Sequence, residues 1–212
     1  MFIPLVDILR CVQPHADTWL VASIERADER FIIDGMLGCP TCLAEYPIRS
    51  GVVHFTDRPV EPSRVAPPES EAEAIRIAAA LDLIEPRVTA LLHGAWAAQA
   101  QLVRGLSPAQ LLLLNPPVGM VGGEGVSVLI SDVAPLAQAS IDAIAIDEPL
   151  TAALFASLRA SLRRGGRILA GATTPIPDGF TELARDADVW VARLDDAAIV
   201  SAPILPTRRK SS

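Results

Sequence analysis

The chain has 212 residues, half of them apolar, and a formal net charge of −7 at pH 7. This length suits one α/β domain with a small appendage, and the negative charge argues against non-specific nucleic-acid binding. No apolar run approaches the roughly 18 residues of a membrane span, and the first ten residues lack the basic leader of a secretory signal. Three cysteines, two of them in a C-x-x-C, favour a reducing, cytoplasmic location and a metal over disulfides.

The first unit, residues 1–56, carries two turns that could hold a metal. Cys39 and Cys42 form one turn, and Cys11 and His15 are the candidates for the other. Zn²⁺ accepts thiolate and imidazole in tetrahedral sites, so a Cys₃His set is acceptable. Because so small a unit buries little core, the metal would contribute much of its folding free energy. The alternative is a ribbon held by packing alone, with Cys11 an apolar core residue and His15 at the surface.

Two motifs of this unit resemble the small zinc-ribbon proteins that activate partner methyltransferases. The motif C-x-x-C-x-x-x-Y-P-I-x-x-G over residues 39–51 is the more specific of the two. The other, Leu5-Val6-Asp7-Ile8-Leu9-Arg10-Cys11, departs from the family, because Cys11-x-x-x-His15 stands where the family carries C-P-x-C. The resemblance implies a structural zinc and an occurrence either alone or ahead of a methyltransferase domain.

The composition changes after the first unit. Residues 57–69 are proline-rich and aperiodic, which predicts a linker. Ser70 and Glu73 form a capping-box pattern ahead of a helix predicted over Ala74–Leu83. A second unit is predicted over residues 70–206, followed by a frayed tail at 207–212. Its further predicted elements are strand Val88–Leu92, helix Ala97–Val103, strands Leu111–Leu114, Val126–Ile130 and Ile141–Ile146, a helix over Leu150–Leu162, strand Ile168–Ala170, helix Gly179–Asp186, and strands Val189–Arg193 and Ala197–Pro203.

The stretch over residues 140–171 determines the predicted fold class. Ile141–Ile146 is apolar on both faces, as expected of a parallel strand covered by helices on both sides. Pro149 is predicted to be the first helical residue, and Gly165-Gly166 the C-cap before the strand at Ile168. A strand, a crossover helix and a second parallel strand require further parallel strands beside them. The predicted fold class is therefore α/β, with a Rossmann-like doubly wound sheet.

The order of elements over residues 71–206 resembles class I S-adenosylmethionine (SAM)-dependent methyltransferases. Asp132-Val133-Ala134-Pro135-Leu136, followed by Ser140-Ile141-Asp142-Ala143, is similar to the family's run from the third-strand acid into the fourth strand. Residues 158–169, LRASLRRGGRIL, are similar to its helix-to-strand junction. The resemblance implies a SAM crevice at the carboxyl ends of the strands and a closing antiparallel hairpin made of the last two predicted strands.

Three residues would contact SAM under this resemblance: Gly94 in the first turn, Asn115 after the second strand and Asp132 after the third. The family's G-x-G-x-G turn retains only Gly94, and Trp96 adds a large ring where clearance is needed. Asn115 replaces an acid that accepts two hydrogen bonds from the ribose. Losing that acceptor removes about 1.5–3 kcal/mol, or one to two decades of affinity. We therefore expect SAM binding to be weak or absent.

These departures favour a non-catalytic, methyltransferase-like binding, scaffold or regulatory protein with a structural zinc ribbon and a protein partner or a second copy as its target. The alternative is an active SAM-dependent methyltransferase with a diverged cofactor loop, in which Asp147 or His93 assists the methyl acceptor. Asp147 also suits the plain role of an acid at a helix N-terminus. A nucleic-acid-binding ribbon is a third alternative, against which the acid excess of the ribbon weighs. No membrane association is expected.

Overall fold

The computed structural model describes residues 1–57, 68–148 and 150–195. Within these residues eleven strands form a single sheet, accompanied by three α-helices and two 3₁₀ helices. The strands are β1 Val21–Asp28, β2 Phe31–Gly38, β3 Glu45–Arg49, β4 Val52–His54, β5 Thr89–His93, β6 Gln110–Leu114, β7 Val126–Ile130, β8 Ile141–Ile146, β9 Leu162–Gly171, β10 Phe180–Arg185 and β11 Val189–Leu194. The helices are α1 Glu71–Leu81, α2 Ala100–Leu106 and α3 Ala152–Ser161, with 3₁₀ turns at Ile3–Ile8 and Gly94–Gln99. In the described part of the chain, no helix is long and apolar enough to cross a bilayer.

The strand order is β1-β2-β3-β4-β7-β6-β5-β8-β9-β11-β10. Neighbours from β4 through β7, β6, β5 and β8 to β9 are all parallel. Counted from β5, the order 3-2-1-4-5 is that of a doubly wound sheet, because the chain moves first to one side of β5 and then to the other. This order places the switch point between β5 and β8. The predicted α/β fold class is confirmed.

The N-terminal unit continues the central sheet. Its strands β1 to β4 pair antiparallel in sequence order. The last of them, β4, then pairs in parallel with β7, with Val53 opposite Leu129 and His54 opposite Ile130. Residues 1–56 therefore share one hydrogen-bond ladder with the parallel strands.

Both faces of the parallel strands are covered, as the apolar runs of the sequence predict. In β6, Leu112 belongs to one buried cluster together with Leu9 of the N-terminal unit and Leu158 of α3. The next side chain back along the strand, Leu111, belongs to the other cluster, with Ile77 of α1 and Val103 of α2. Successive side chains of a strand point to opposite faces, so the two clusters are the two sides of the sheet.

The two outermost strands are irregular. In β1 the pairing with β2 shifts register around Arg26, and in β10 the pairing with β11 shifts between Glu182 and Ala184. These shifts are β-bulges, which bend a strand and increase its twist.

Two helix N-termini follow the expected capping chemistry. The Ser70 hydroxyl accepts a hydrogen bond from the Glu73 N–H at 3.4 Å, which confirms Ser70 as the N-cap, although α1 begins three residues earlier than predicted. The second bond of a capping box is replaced, because the Ser70 N–H donates to the Gln99 side chain. For α3, the Thr151 hydroxyl accepts from the Leu154 N–H at 3.1 Å. Pro149, the predicted first residue of that helix, lies outside the described residues.

The predicted C-cap at Gly165-Gly166 is wrong. Helix α3 ends at Ser161, and Leu162 already has extended dihedral angles. The glycines lie inside β9, in a stretch that the register against β8 skips, because Ile141 pairs with Leu162 and Ala143 pairs with Arg167. The glycine pair thus accommodates an irregularity in the ladder, with a φ of +74° at Gly165.

The helix predicted over Gly179–Asp186 is also wrong, because these residues contain β10. Their helix-forming composition is overridden by antiparallel pairing with β11, which the local pattern does not encode. The closing hairpin therefore consists of β10 and β11, not of Val189–Arg193 and Ala197–Pro203. The latter range lies outside the described residues. The hairpin is anchored by Trp190, which is fully buried and donates its indole N–H to the Thr174 carbonyl at 2.6 Å.

We expect Gly166→Ala to destabilise the fold by about 1–3 kcal/mol, because overpacked sites cost that much. A Cβ at this position would lie 2.7 Å from the Arg163 carbonyl oxygen and 2.8 Å from that of Asp142. The matched control is Gly105→Ala in α2, where a Cβ meets no atom within 4 Å. The control is expected to be neutral or stabilising by up to about 1 kcal/mol. Urea unfolding measures both, and equal losses in the two variants would contradict the packing assigned to β9.

Candidate functional site

Cys11, His15, Cys39 and Cys42 converge into one cluster that could hold a metal. Their ligand atoms all lie within 4.8 Å of one another. The Cys11 and Cys42 sulfurs are 3.6 Å apart, and His15 Nε2 lies 3.1 Å from the Cys11 sulfur and 3.4 Å from that of Cys39. A tetrahedral zinc site has S···S and S···N separations of about 3.8 and 3.5 Å, from Zn–S and Zn–N bonds of about 2.3 and 2.0 Å. The donor set and its spacing therefore fit zinc.

Two tight turns present these ligands. After β2 the Leu43 N–H donates to the Cys39 carbonyl, and the Cys39 N–H donates to the Ala44 carbonyl. Leu43 has a φ of +61°, so the turn holds a left-handed residue between the second cysteine and β3. The other turn closes where the Cys11 N–H donates to the Thr18 carbonyl at 3.1 Å.

Local hydrogen bonds to His15 and Cys39 affect how these two side chains could bind a metal. His15 Nδ1 lies 2.7 Å from the Ala16 carbonyl oxygen; this hydrogen bond, together with the Cys11 thiol, raises the pKa of His15. An Nδ1–H bonded to a carbonyl leaves the Nε2 lone pair directed at the sulfurs, which is the usual arrangement of a metal-ligating histidine. Burial alone would raise the pKa of the Cys39 thiol, but the N–H groups of Cys42 and Thr41 donate to it, and its pKa falls to about 6.

Tyr46 adds a partner that the sequence analysis did not identify as functional. Its hydroxyl lies 3.1 Å from the Cys11 sulfur, and its side chain is buried against Phe55, with ring centroids 4.7 Å apart. Burial raises the pKa of Tyr46, so the phenol remains protonated and can donate to a thiolate. The one signal in the sequence is the position of the tyrosine within the C-x-x-C-x-x-x-Y-P-I motif.

The first turn of the parallel sheet is tied to the end of β8. Trp96 donates its indole N–H to the Ile146 carbonyl at 2.8 Å, and the Ala95 N–H donates to an Asp147 carboxylate oxygen at 3.0 Å. His93 Nδ1 lies 3.1 Å from the Asp147 carbonyl oxygen, and burial lowers the pKa of this imidazole. The predicted residues His93 and Asp147 are thus brought together, on either side of the topological switch point. The chain turns between His93 and Trp96 at Gly94, which is buried and has a φ of +61°.

Asn115 joins the ends of β6 and β7. Its amide group donates to the Ser131 carbonyl at 2.8 Å and accepts from the Ser131 N–H at 2.9 Å. The side chain is therefore paired through both its nitrogen and its oxygen. Asn115 has a φ of +50°, a left-handed conformation that asparagine tolerates better than most residues.

Asp132 follows β7 and is exposed. One of its carboxylate oxygens accepts a hydrogen bond from the Thr56 hydroxyl at 3.3 Å. Gly94, Asn115 and Asp132 accordingly follow three adjacent parallel strands at the same edge of the sheet, in the order that the sequence resemblance implies.

A cavity of about 370 Å³ adjoins the first turn. Its wall is formed by the start of α1, the first turn and the end of β8, and consists of Pro68, Ser70, Glu73, Ala95, Trp96, Gln99 and Asp147. Gln99 connects the first turn to the residues before α1, because its buried amide accepts a hydrogen bond from the Ser70 N–H and donates one to the Pro68 carbonyl. Among the described residues that line this cavity, neither Asn115 nor Asp132 is present.

Neither a family model nor a curated protein matches the sequence. Among solved structures, the chain is similar to a protein of Methanococcus maripaludis assigned as a SAM-dependent methyltransferase (10% identity, TM-score 0.43, covering 61% of this chain and 87% of that one). It is also similar to the 1,6-didemethyltoxoflavin-N1-methyltransferase of Burkholderia thailandensis (14%, TM-score 0.42, 59% and 77%). A third is the geranyl diphosphate C-methyltransferase of Streptomyces coelicolor (13%, TM-score 0.38, 47% and 44%), of which the chain spans less than half. The structural neighbours are thus methyltransferases, and the likeness concerns the fold alone.

We expect Tyr46→Phe to weaken zinc binding about tenfold, since hydrogen bonds to metal ligands typically contribute that much or more to metal affinity. Phenylalanine keeps the contact with Phe55 and removes only the hydroxyl that faces the Cys11 sulfur. Competition with a chelator measures the affinity, and the thiolate-to-metal absorption of the cobalt-substituted protein reports on the sulfur directly. Equal affinities and identical cobalt spectra would contradict a hydrogen bond to the ligand.

We expect Asn115→Asp to lower the free energy of unfolding by about 1–3 kcal/mol, because the Ser131 carbonyl loses its donor and faces a carboxylate. The charged form of the introduced carboxyl is disfavoured in the folded state, which raises its pKa. The loss should therefore be small at low pH and should grow as the pH rises through the carboxyl's range. The control is Ser131→Ala, which keeps both backbone groups that bond Asn115. Denaturant titrations at acidic and neutral pH would contradict the assignment if the two variants behaved alike.

Proposed function

We propose that this chain is a zinc-ribbon protein with a methyltransferase-like fold that binds a partner and does not transfer methyl groups. The observation that supports this most is that the polar groups at the candidate crevice are already hydrogen-bonded within the chain. Where a nucleoside cofactor would bind, the turn after β5 is hydrogen-bonded to the end of β8, and the end of β6 is hydrogen-bonded to the end of β7.

The turn after β5 is already bonded to the end of β8. In a cofactor-binding version of this turn, glycines let the backbone approach the ligand closely. Here the Asp147 carboxylate accepts a hydrogen bond from the Ala95 N–H, and the Trp96 indole N–H donates to the Ile146 carbonyl at the end of β8. A ligand would have to displace both bonds and the ring. Each neutral hydrogen bond contributes about 1 kcal/mol net, and a buried group left unpaired costs about 1–3 kcal/mol.

Asn115 and Asp132 stand at the positions that the sequence resemblance assigns to the ribose and the adenine. Asn115 has no carboxylate, and both polar atoms of its amide are committed to Ser131. Asp132 follows β7 as the resemblance implies, but it does not line the cavity beside Trp96. A cavity of about 370 Å³ is within the range of small-ligand sites, yet this one lies toward α1 and not along β6 and β7. The three positions assigned to SAM thus do not share that cavity.

The metal centre supports a structural role. Cys11, His15, Cys39 and Cys42 supply four protein ligands, and a four-ligand site leaves no position for a substrate. When bound, zinc would cross-link the two turns and contribute folding free energy. We infer a ribbon of the methyltransferase-activator type from the sequence motif together with this geometry.

We further infer a protein partner, either a second copy or another chain, and a cytoplasmic location. Trp19 and Leu43 on the ribbon are 66% and 80% exposed and offer apolar surface to such a partner. The three cysteines are free thiols, which a reducing compartment preserves. Sedimentation at micromolar concentration distinguishes a homodimer from a monomer that needs a different partner.

An active methyltransferase is the alternative. The observation that favours it is the pairing of His93 with Asp147 beside the cavity at the switch point, where acceptor chemistry would take place. Because burial lowers the pKa of His93, its imidazole is neutral at pH 7 and could accept a proton. Under this alternative Gly94 and Asp132 contact SAM, and Trp96 must move away from β8.

Calorimetric titration with SAM separates the two functions. We expect no saturable binding up to about 1 mM, which corresponds to less than about 4 kcal/mol of binding free energy. Trp96→Ala removes the ring and its bond to the Ile146 carbonyl, and should raise the affinity at least about tenfold, a gain of about 1.4 kcal/mol. Trp96→Phe keeps an aromatic ring in place and serves as the control. A low-micromolar dissociation constant for the unaltered protein would rule out the non-catalytic function.

A further inference from the structure

The segment that follows β7, residues 131–137, contains no helix or strand, although it begins at the candidate crevice. We refer to it as the β7 exit. Its distal end is bonded to the N-terminal unit by two backbone hydrogen bonds. The Arg10 N–H donates to the Pro135 carbonyl, and the Ala137 N–H donates to the Ile8 carbonyl, both at 2.8 Å. Between them Leu9, which is fully buried, forms an isolated antiparallel bridge with Leu136.

The proximal end is bonded to the same unit. The Phe55 N–H donates to the Ile130 carbonyl at 2.8 Å, and the Thr56 hydroxyl donates to the Asp132 carboxylate at 3.3 Å. Helix α3 adds one bond from the other side, where the Ser157 hydroxyl accepts from the Ala134 N–H at 2.8 Å. Within the described residues the N-terminal unit thus holds the β7 exit at both of its ends.

The residues that hold the distal end lead directly into the metal cluster. Arg10 bonds to Pro135, precedes Cys11 and forms a bridge with Trp19, so the turn over residues 11–18 begins beside the β7 exit and returns to Arg10. No hydrogen-bonded helix or strand spans this turn. The Cys11–Thr18 backbone hydrogen bond closes the turn, and the approach of His15 to Cys39 brings it against the turn after β2. A metal would therefore connect Arg10 through Cys11 to the turn after β2.

We propose that metal occupancy at the Cys₃His cluster controls the order of the β7 exit. The metal holds the 11–18 turn against the turn after β2. The fixed turn keeps residues 8–10 in place, and residues 8–10 are hydrogen-bonded to residues 135–137. The inference rests on the zinc binding proposed above. It extends that proposal by assigning the metal a local effect on the sheet edge beside the crevice, in addition to its contribution to folding.

Hydrogen–deuterium exchange on zinc-loaded and chelator-stripped full-length protein tests the proposal. Zinc content is measured first: about one equivalent in the loaded protein establishes the site, and less than half an equivalent rejects the zinc site itself, and with it the inference. Given loading, amides of residues 133–137 should exchange at least about tenfold faster after stripping, since local opening depends on local contacts. The hairpin of β10 and β11, at the other end of the sheet, is the internal reference and should not change.

Two outcomes with loaded protein would overturn the inference while leaving zinc binding intact. One is equal exchange of the β7 exit with and without metal. The other is a uniform rise in all peptides, hairpin included, which would mean that the metal acts on global stability only.

Two variants of Ala137 test the hydrogen bond between residues 8 and 137 without removing a metal ligand. Ala137→Pro deletes the N–H that bonds the Ile8 carbonyl, and Ala137→Gly retains it. Both variants should load about one equivalent of zinc. In Ala137→Pro the β7 exit should exchange fast whether or not zinc is present, so the metal dependence disappears, whereas Ala137→Gly should keep it. Persistence of the metal dependence in Ala137→Pro would contradict the route through Ile8 and Ala137.

Discussion

The structure depends on the parallel pairing of β4 with β7. Three residues, Val52 to His54, join an antiparallel ribbon to a doubly wound sheet and convert two potential assemblies into one ladder. Without this pairing β7 would be an edge strand with unpaired N–H and C=O groups, while its buried side chains would remain those of an interior strand. The ribbon therefore completes the sheet, and the metal cluster is connected to the core by main-chain hydrogen bonds.

Under the proposed function, the candidate crevice keeps its fold while its polar groups bond to one another. Trp96, Asp147 and Asn115 lie at the carboxyl ends of the parallel strands, and each is bonded to a neighbouring strand end. These bonds strengthen the carboxyl edge of the sheet. They also set a cost for any ligand, since every displaced bond leaves a buried group to be satisfied again.

Features encoded by neighbouring residues could be predicted from the sequence. The bounds of β7 and β8 follow from short apolar runs, and the cap at Ser70 from residues three apart. Features that depend on distant partners could not. The residues of β10 have helical composition but pair with β11, and the joining of β4 to β7 is a contact between segments more than seventy residues apart. The four candidate metal ligands were identifiable by type, whereas the contact of Tyr46 with a sulfur could be found only from the structure.

The bulges in β1 and β10 have a consequence for assembly. A flat outer strand is a template for another chain, and an eleven-stranded sheet with two such strands would be prone to grow into fibres. Among the described residues, both outer strands interrupt their own ladder, so neither presents a regular edge to another chain. Under the proposed function, association would therefore use side chains on a face, and the exposed Trp19 and Leu43 lie on the ribbon.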